Sequence, residues 1–348
     1  MAQIPVQNVY YLLCYAWNQM KEGQVVETGA AGHTELADLF GQVLASGTKR
    51  VLRQGLDRGY VTQEQATSRI RGRIDFNTSV RQALLPQAQA YCAYDELSRN
   101  VLHNRILRST IQRLLRVEAL DSTVREDLRQ LNRRLGGIDP VPLAAATFGQ
   151  VQLHAGNAFY RFLINVCELI AQNVIPTEDG AGRRFRNFLR DEAQMGRLFE
   201  SFVRHFYAHE QDRYAVSAPH IPWDVQSSEP EHLPSMRTDM VLQSAEQTLI
   251  IDTKYYSRTL QAHHGKQSYH SANLYQLFAY LINAEAKGPA FERADGMLLY
   301  PTVTADIDES FRVQGHWIHV RTINLAQDWQ GIRDDLLALL PVQRHPSR

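Results

Sequence analysis

The stretch Met236–Tyr256, MRTDMVLQSAEQTLIIDTKYY, constrains this chain more than any other. Met236–Leu242 is short, apolar-rich and strand-like, Gln243–Gln247 is polar and suits a turn, and Thr248–Lys254 opens as a β-branched, aliphatic run of buried-strand type. A β-hairpin is expected. Successive strand side chains alternate between faces, so Asp252 and Lys254 project together while Ile251 and Thr253 face the other way. An aspartate and a lysine straight after an Ile-Ile pair are costly to bury unless paired or bound to a metal. Asp239, thirteen residues before Asp252, falls on the neighbouring strand and can meet them. Two carboxylates and a lysine at a strand end make a site for a hard cation beside a cationic donor. The bland alternative is a strand-end ion pair between Asp252 and Lys254, the better reading of an isolated D-x-K triplet. The earlier aspartate and the residues downstream shift that balance.

At 348 residues the chain suits two domains, each able to bury its own core. Lys+Arg and Asp+Glu both total 37, so no global field advertises nucleic acid and any DNA contact must come from local basic patches. Cys14, Cys92 and Cys167 are far apart, which suggests thiols in a reducing compartment and neither a disulfide framework nor a zinc site. The apolar Val9–Trp17 stretch is too short to span a membrane and lacks the basic region and cleavage site of a signal peptide. A cytoplasmic protein without membrane contact is expected.

Along the chain, Ile4–Trp17 reads as an early turn and a helix rich in Tyr10, Tyr11, Tyr15 and Trp17, either buried in its own domain or offered to a partner. Leu36–Val51 is helical, and Tyr60–Thr62, Ile70–Asp75 and Gln89–Tyr94 are short β-leaning pieces of a small β-subdomain. Leu97–Val117 is expected as a helix whose Arg99, Arg105, Arg108, Arg113 and Arg116 form a solvated face or a DNA or partner contact. Gly136–Pro142 is the clearest breaker cluster, and the domain boundary is placed near residue 150. Asn157–Val174 is an apolar helix, and Arg183, Arg184, Arg186 and Arg190 interleave with Phe185 and Phe188, as a surface loop or a phosphate-tracking segment. Asp191–Tyr207 is an amphipathic helix in which Glu200 either pairs with Arg204 or leans over the hairpin as a third carboxylate. Ser257–Ser271, with Arg258, His263, His264, Lys266 and His270, reads as a basic substrate-facing loop; its histidines lack the spacing of a zinc site. Asn273–Asn283 is a helix with Gln276 and Tyr280 on one face, Gly296–Tyr300 and Trp317–Val320 are the last strands, and Ile332–Leu340 closes the chain. No phosphate-binding G-x-x-x-x-G-K-[ST] occurs, the nearest piece being Ala45–Lys49, so no nucleotide site is expected in this chain.

Taken together, these residues resemble the McrC family, the nuclease subunits of McrBC-type modification-dependent (type IV) restriction systems. The resemblance runs through IPVQNVYYLLCYAW, IRGRIDF, YDELSRNVLHNRIL, FLRDEAQMGRLFESFVRHFY, RTDMVL, LIIDTKYY and SANLYQLFAYL, in the family's order and over nearly the whole chain. It implies an α+β protein: a mixed N-terminal domain over residues 1–150 that docks on a motor, then a PD-(D/E)xK nuclease domain over 151–348. Asp239 and Asp252 match the family's metal acids and Lys254 the motif lysine, while Gln276 and Tyr280 resemble the Q-x-x-x-Y element of RecB-like nucleases. Glu200 falls where many such enzymes carry a helical acid. Mg²⁺ would be held by Asp239, Asp252 and the Thr253 backbone carbonyl, with Glu200 as an additional ligand. Lys254 would orient the attacking water or stabilise developing charge, Gln276 would position a water or backbone, and Tyr280 would pack beneath it. The implied partners are a hexameric McrB-like AAA+ GTPase, which this chain would stimulate, and double-stranded methylcytosine-containing DNA; a dimer through the nuclease domain stays open. Two other readings are a non-catalytic activator of the ring and a stand-alone RecB-like nuclease.

Overall fold

The computed structural model describes residues 4–21, 35–177, 182–225, 232–256, 261–263, 266–302 and 306–341. Two compact units divide the chain, one of residues 24–186 and one that joins residues 1–23 to 187–348. Helix α1 (Val6–Ala16) opens the chain and belongs to the second unit.

In the 24–186 unit, α2 (Leu36–Gln54) forms because Leu36, Leu39, Phe40, Val43, Leu44 and Val51 recur at helical spacing, and all are buried. It leads to an antiparallel sheet of β1 (Gly59–Thr67), β2 (Arg73–Ile74) and β3 (Ala90–Ser98) in the order β1-β3-β2. Between β2 and β3 lies α3 (Phe76–Arg81), capped by Asp75, whose Oδ1 accepts from Thr78 N at 3.0 Å. This is the small β-subdomain expected, but its surface is unusually apolar: Tyr60, Ile70, Phe76, Val80, Leu85 and Leu97 are each half exposed or more.

Helices α4 (Leu102–Leu114), α5 (Ser122–Arg134), α6 (Ala145–Gly149) and α7 (Ala158–Asn173) follow, and the short pair β4 (Val174–Pro176) and β5 (Arg183–Phe185) closes the unit. The expected Leu97–Val117 helix is corrected at its start, because Leu97 pairs with Tyr60 in the sheet. The arginines of α4 are spent on backbone carbonyls: Arg105 donates to Pro140 O and Arg108 to Gly136 O and Ile138 O in the loop, and Arg113 to Val174 O at the start of β4. Val141 N donates to Ser109 Oγ at 2.7 Å and Asp139 N to Asn100 Oδ1 at 2.8 Å. The Gly136–Pro142 breaker cluster is therefore strapped to α4 and is no linker, which is why residue 150 lies inside a compact unit.

The second unit continues with α8 (Glu192–Glu210), β6 (Ala215–Ser217), β7 (His220–Ile221), β8 (Met236–Arg237), β9 (Met240–Gln243) and β10 (Thr248–Thr253). After β11 (Gln261–His263) and β12 (Lys266–Ser268) come α9 (Ser271–Ala284), β13 (Asp295–Thr302), β14 (Asp308–Val313), β15 (His316–Asn324) and α10 (Trp329–Ala338). Six strands form one mixed sheet in the order β14-β15-β13-β10-β9-β6, with β10, β13 and β15 parallel and α9 as the crossover from β10 to β13. Val241, Ile250, Leu298, Ile318 and Val320 form a buried core with Leu277 and Leu281 of α9. Gly296, opposite Ile250, lets the helix lie close: a Cβ there would stand 2.9 Å from Leu281 Cδ1 and 3.1 Å from Leu277.

Leu249 and Ile251 point away from α9 and are also fully buried, on the side where α8 meets β10. There α1, α8 and α10 interlock. Tyr11 stacks on Trp329 with centroids 4.7 Å apart, Tyr15 lies 5.5 Å from Phe206, and Asn8 Nδ2 donates to Leu325 O and Gln327 O at 3.0 and 2.7 Å. Tyr10 and Tyr15 of the aromatic opening are thus buried, but in the unit completed by residues 187–348 and not in an N-terminal domain. The architecture is α+β. Among the described residues no helix is long and apolar enough to cross a membrane.

Candidate active site

The hairpin forms as expected, with Gln243 opposite Thr248 and Met240 opposite Ile251, and the turn is closed by Ser244 N donating to Gln247 O at 2.9 Å. Its first strand is not continuous. Thr238 Oγ1 donates to Pro219 O at 2.9 Å, and Thr238 and Asp239 separate β8 from β9. The break frees the Asp239 side chain to reach the end of β10, where its Oδ2 accepts from Thr253 N at 2.7 Å and Thr253 Oγ1 at 2.8 Å.

Asp252 is completely buried. Lys254 Nζ ion-pairs with Asp252 Oδ2 at 2.8 Å, while the buried Oδ1 has no hydrogen-bond donor. Burial pushes the Asp252 carboxyl up to about 7; Lys254 opposes that rise, while Asp239 and Glu200 add to it. Burial acts to lower the Lys254 ammonium, but the carboxylates of Asp252 and Asp239 outweigh it and the net shift is upward. Lys254 therefore stays charged at neutral pH and supplies the cation that the acids face.

Helix α9 holds that lysine. Gln276 Oε1 accepts from Lys254 Nζ at 3.0 Å, Gln276 Nε2 donates to Tyr280 Oη at 2.6 Å, and Tyr280 Oη donates to Arg237 O at 2.8 Å. A chain of hydrogen bonds thus runs from the lysine, through one helical turn, to the strand that precedes Asp239. Glu200, on α8, makes the foreseen pair with Arg204 at 3.1 Å, and its charge is felt by Asp239 and Asp252. Burial first, and then Asp239, raise its carboxyl. Arg204 Nη1 also donates to Asp239 O at 3.3 Å, tying α8 to the strand break.

All six predicted side chains, Glu200, Asp239, Asp252, Lys254, Gln276 and Tyr280, therefore gather at one end of the central strands. Thr253 was expected to offer only its carbonyl, and the use of its hydroxyl and N–H is new. A second hydrogen-bonded line was missed too: Tyr256 Oη donates to Asn273 Oδ1 and Asn273 Nδ2 to Tyr300 Oη, both at 3.2 Å. Asn273 lies one helical turn before Gln276, a spacing that could have drawn attention to it. Of the expected basic loop, Arg258 and His264 lie outside the described residues, β11 and β12 pair as a short hairpin, and His270 stacks on Tyr256 at 4.3 Å. The Arg183–Arg190 segment straddles the two compact units. Cavities of about 420 and 560 Å³ lie elsewhere, lined by Phe148, Arg161 and Glu168 in one and by Asp295, His319 and Arg321 in the other.

Among the described residues no three His, Cys, Asp or Glu side chains converge tightly enough to hold an ion by themselves. The donor set fits a different arrangement. Mg²⁺ commonly takes one or two carboxylates and completes its shell with waters and substrate phosphate. The buried Asp252 Oδ1, which has no donor, beside Asp239, suits such a cation.

Comparison with known proteins adds an independent line. The family model for the McrBC 5-methylcytosine restriction system component matches residues 6–301. The Type IV methyl-directed restriction enzyme EcoKMcrBC of Escherichia coli (strain K12) is 33% identical over 337 residues, covering 96% of each chain. A chain from a half-complex of the tetradecameric assembly of Thermococcus gammatolerans McrB AAA+ hexamers with bound McrC superposes with a TM-score of 0.57, at 16% identity, over 97% of this chain and 76% of that one.

Proposed function

This chain belongs to the McrBC 5-methylcytosine restriction system component family, and from that premise we propose that it is a Mg²⁺-dependent DNA endonuclease subunit that works docked on an McrB-like AAA+ GTPase ring, which it stimulates, against methylcytosine-containing DNA. The observation that carries the reading is the buried Asp252 carboxylate, ion-paired with Lys254 through Oδ2 but with no donor on Oδ1, beside Asp239 at the end of a parallel strand. A fold would not keep such a group for stability alone, since desolvation opposes its charge. The six-stranded mixed sheet, its crossover helix and the D-x-K strand end support a PD-(D/E)xK nuclease unit.

Asp239 and Asp252 would hold the metal, joined by the Thr253 carbonyl, with Glu200 next in line. When bound, Mg²⁺ would polarise the scissile phosphate and acidify a water. Asp239 enters that role already oriented, because Thr253 fixes one of its oxygens. Lys254 faces the phosphate with a full positive charge and stabilises the negative charge that develops as the phosphodiester is attacked. Gln276 keeps the ammonium aimed, and Tyr280 anchors Gln276 to the backbone at Arg237. A lysine with four rotatable bonds would otherwise sample many positions, so this restraint lowers the cost of reaching the reactive geometry.

Docking on the ring is assigned to the 24–186 unit in place of residues 1–150, since the aromatic opening is consumed in the other unit's core. The exposed Tyr60, Ile70, Phe76, Val80, Leu85 and Leu97 of the small sheet and its helix supply an apolar contact surface. The E. coli and T. gammatolerans relatives are named for McrBC assemblies, which supports a ring partner for this chain. The test is DNA cleavage with and without the ring partner, nucleoside triphosphate and Mg²⁺, on methylated and unmethylated DNA. Cleavage should need all four conditions. Robust cleavage of unmodified DNA by the chain alone would instead mark a stand-alone nuclease.

A further inference from the structure

The pairing of β9 with β10 ends at Met240 and Ile251, two residues before Thr253. An antiparallel strand continued past that point would have supplied partners for β10 from the backbone of Thr238 and Asp239. The break takes those partners away. In their place the Asp239 carboxylate turns in, and a single oxygen, Oδ2, receives both the Thr253 N–H at 2.7 Å and the Thr253 hydroxyl at 2.8 Å. Thr253 is itself buried, at 7% exposure, and sits in the last position of β10, so neither donor can swing away without moving the strand. Among the described residues no donor is directed at Oδ1 of the same carboxylate.

Two donors on one oxygen fix both the distance and the rotation of the group. A carboxylate held at a single oxygen by a single bond rotates about its Cβ–Cγ axis; held by an N–H and an O–H from one residue it does not. We infer that Thr253 is the positioning residue for Asp239, locking Oδ2 so that Oδ1 is presented as the metal-binding oxygen opposite Asp252. The inference rests on the reading of Asp239 and Asp252 as metal acids. It assigns a task to the residue between the two motif side chains that only threonine or serine can perform, because valine or isoleucine, equally good in a buried strand, bring no hydroxyl. Groups that orient a metal's ligands typically contribute 10- to 100-fold in metal affinity.

The experiment is Mn²⁺ titration of the full chain by calorimetry, in wild type, Thr253→Val, Thr253→Ser and Asp252→Asn, followed by ring-dependent DNA cleavage across a Mn²⁺ series. Valine keeps the shape of the side chain and removes the donor; serine keeps the donor. Thr253→Val is expected to bind Mn²⁺ about 10- to 100-fold more weakly, and Thr253→Ser within about threefold of wild type. In cleavage, Thr253→Val should shift the Mn²⁺ concentration for half-maximal rate by the same factor, with a smaller loss at saturating metal. Should the valine variant fail to fold, Thr253→Ala, which removes the hydroxyl and the methyl and adds no bulk, carries the same expectation. Mn²⁺ affinity unchanged in Thr253→Val while Asp252→Asn loses it would overturn the role of Thr253 and leave the metal site standing. Unchanged affinity in Asp252→Asn would overturn the metal site itself.

Discussion

Replacing Asp252 with asparagine should stabilise the metal-free protein at alkaline pH, in proportion to what burying the charge now costs. The carboxyl titrates at about 7 in the folded chain against an ordinary value of 3.8. Each unit of such a difference is worth about 1.4 kcal/mol, so ionised Asp252 burdens the fold by up to about 4 kcal/mol above pH 7. The sign follows from linkage. A pKa raised by folding means that the folded state binds the proton more tightly, so stability is full below pH 4 and declines as pH rises from about 4 through 7. Asparagine abolishes this decline, but its buried amide must satisfy N–H groups that the carboxylate lacks, at a cost of about 1–3 kcal/mol where they go unpaired. The net gain is therefore about 2 kcal/mol at pH 8 and close to nothing at pH 5. For a unit of this size about 2 kcal/mol corresponds to roughly 4–8 °C in melting temperature. The assay is thermal unfolding of wild type and Asp252→Asn in EDTA at pH 5 and pH 8, then with Mg²⁺. The asparagine variant should lead at pH 8 only, and Mg²⁺ should narrow its lead by stabilising wild type. An identical difference between the two proteins at both pH values would refute the reasoning.

Other outcomes follow from the same geometry. Tyr280→Phe removes the donor to Arg237 O and the acceptor for Gln276, and should lower cleavage by up to about tenfold with the fold intact, as read by initial rates beside circular dichroism. Gly296→Val drives a side chain into Leu277 and Leu281 and should destabilise by about 1–3 kcal/mol, measured by urea unfolding; an unchanged midpoint would mean that α9 does not lie as close as described. Tyr60→Asp combined with Phe76→Asp should weaken stimulation of the partner's NTP hydrolysis while leaving Mn²⁺ affinity unchanged; full stimulation would place the ring contact elsewhere.

That Asp239, Asp252 and Lys254 lie together was legible in the sequence because the signals are local. A buried strand ending in charges and a hairpin-length separation to Asp239 depend on periodicity alone; periodicity also put Gln276 and Tyr280 on one face of α9, but their place beside Lys254 came from the family resemblance. The strand break at Thr238 and Asp239 was not legible, since it depends on a Thr238 hydrogen bond to Pro219, and it decides how Asp239 is used. Strand β14, DESFRV, is charged enough to read as loop; it exists because β15 supplies a partner. The division into units was misplaced for a related reason. Helix α1 is claimed by Trp329, Leu325 and Gln327, more than three hundred residues away, and no local pattern announces such a contact. The arginines of α4 likewise read as a surface charge run until the Gly136–Pro142 carbonyls that they satisfy are in view.

The central claim is that the Asp252–Lys254 strand end cuts DNA and is separable from stimulation of the ring. It is tested most directly by assaying Asp252→Asn and Lys254→Ala, each assembled with the ring partner, for cleavage of methylated DNA and for NTP hydrolysis in the same reactions. Cleavage should fall by orders of magnitude in both variants, each ~1.4 kcal/mol of lost transition-state stabilisation being about tenfold, while NTP hydrolysis stays at the wild-type rate. Cleavage at the wild-type rate in both variants would return Asp252 and Lys254 to a structural ion pair and contradict the account.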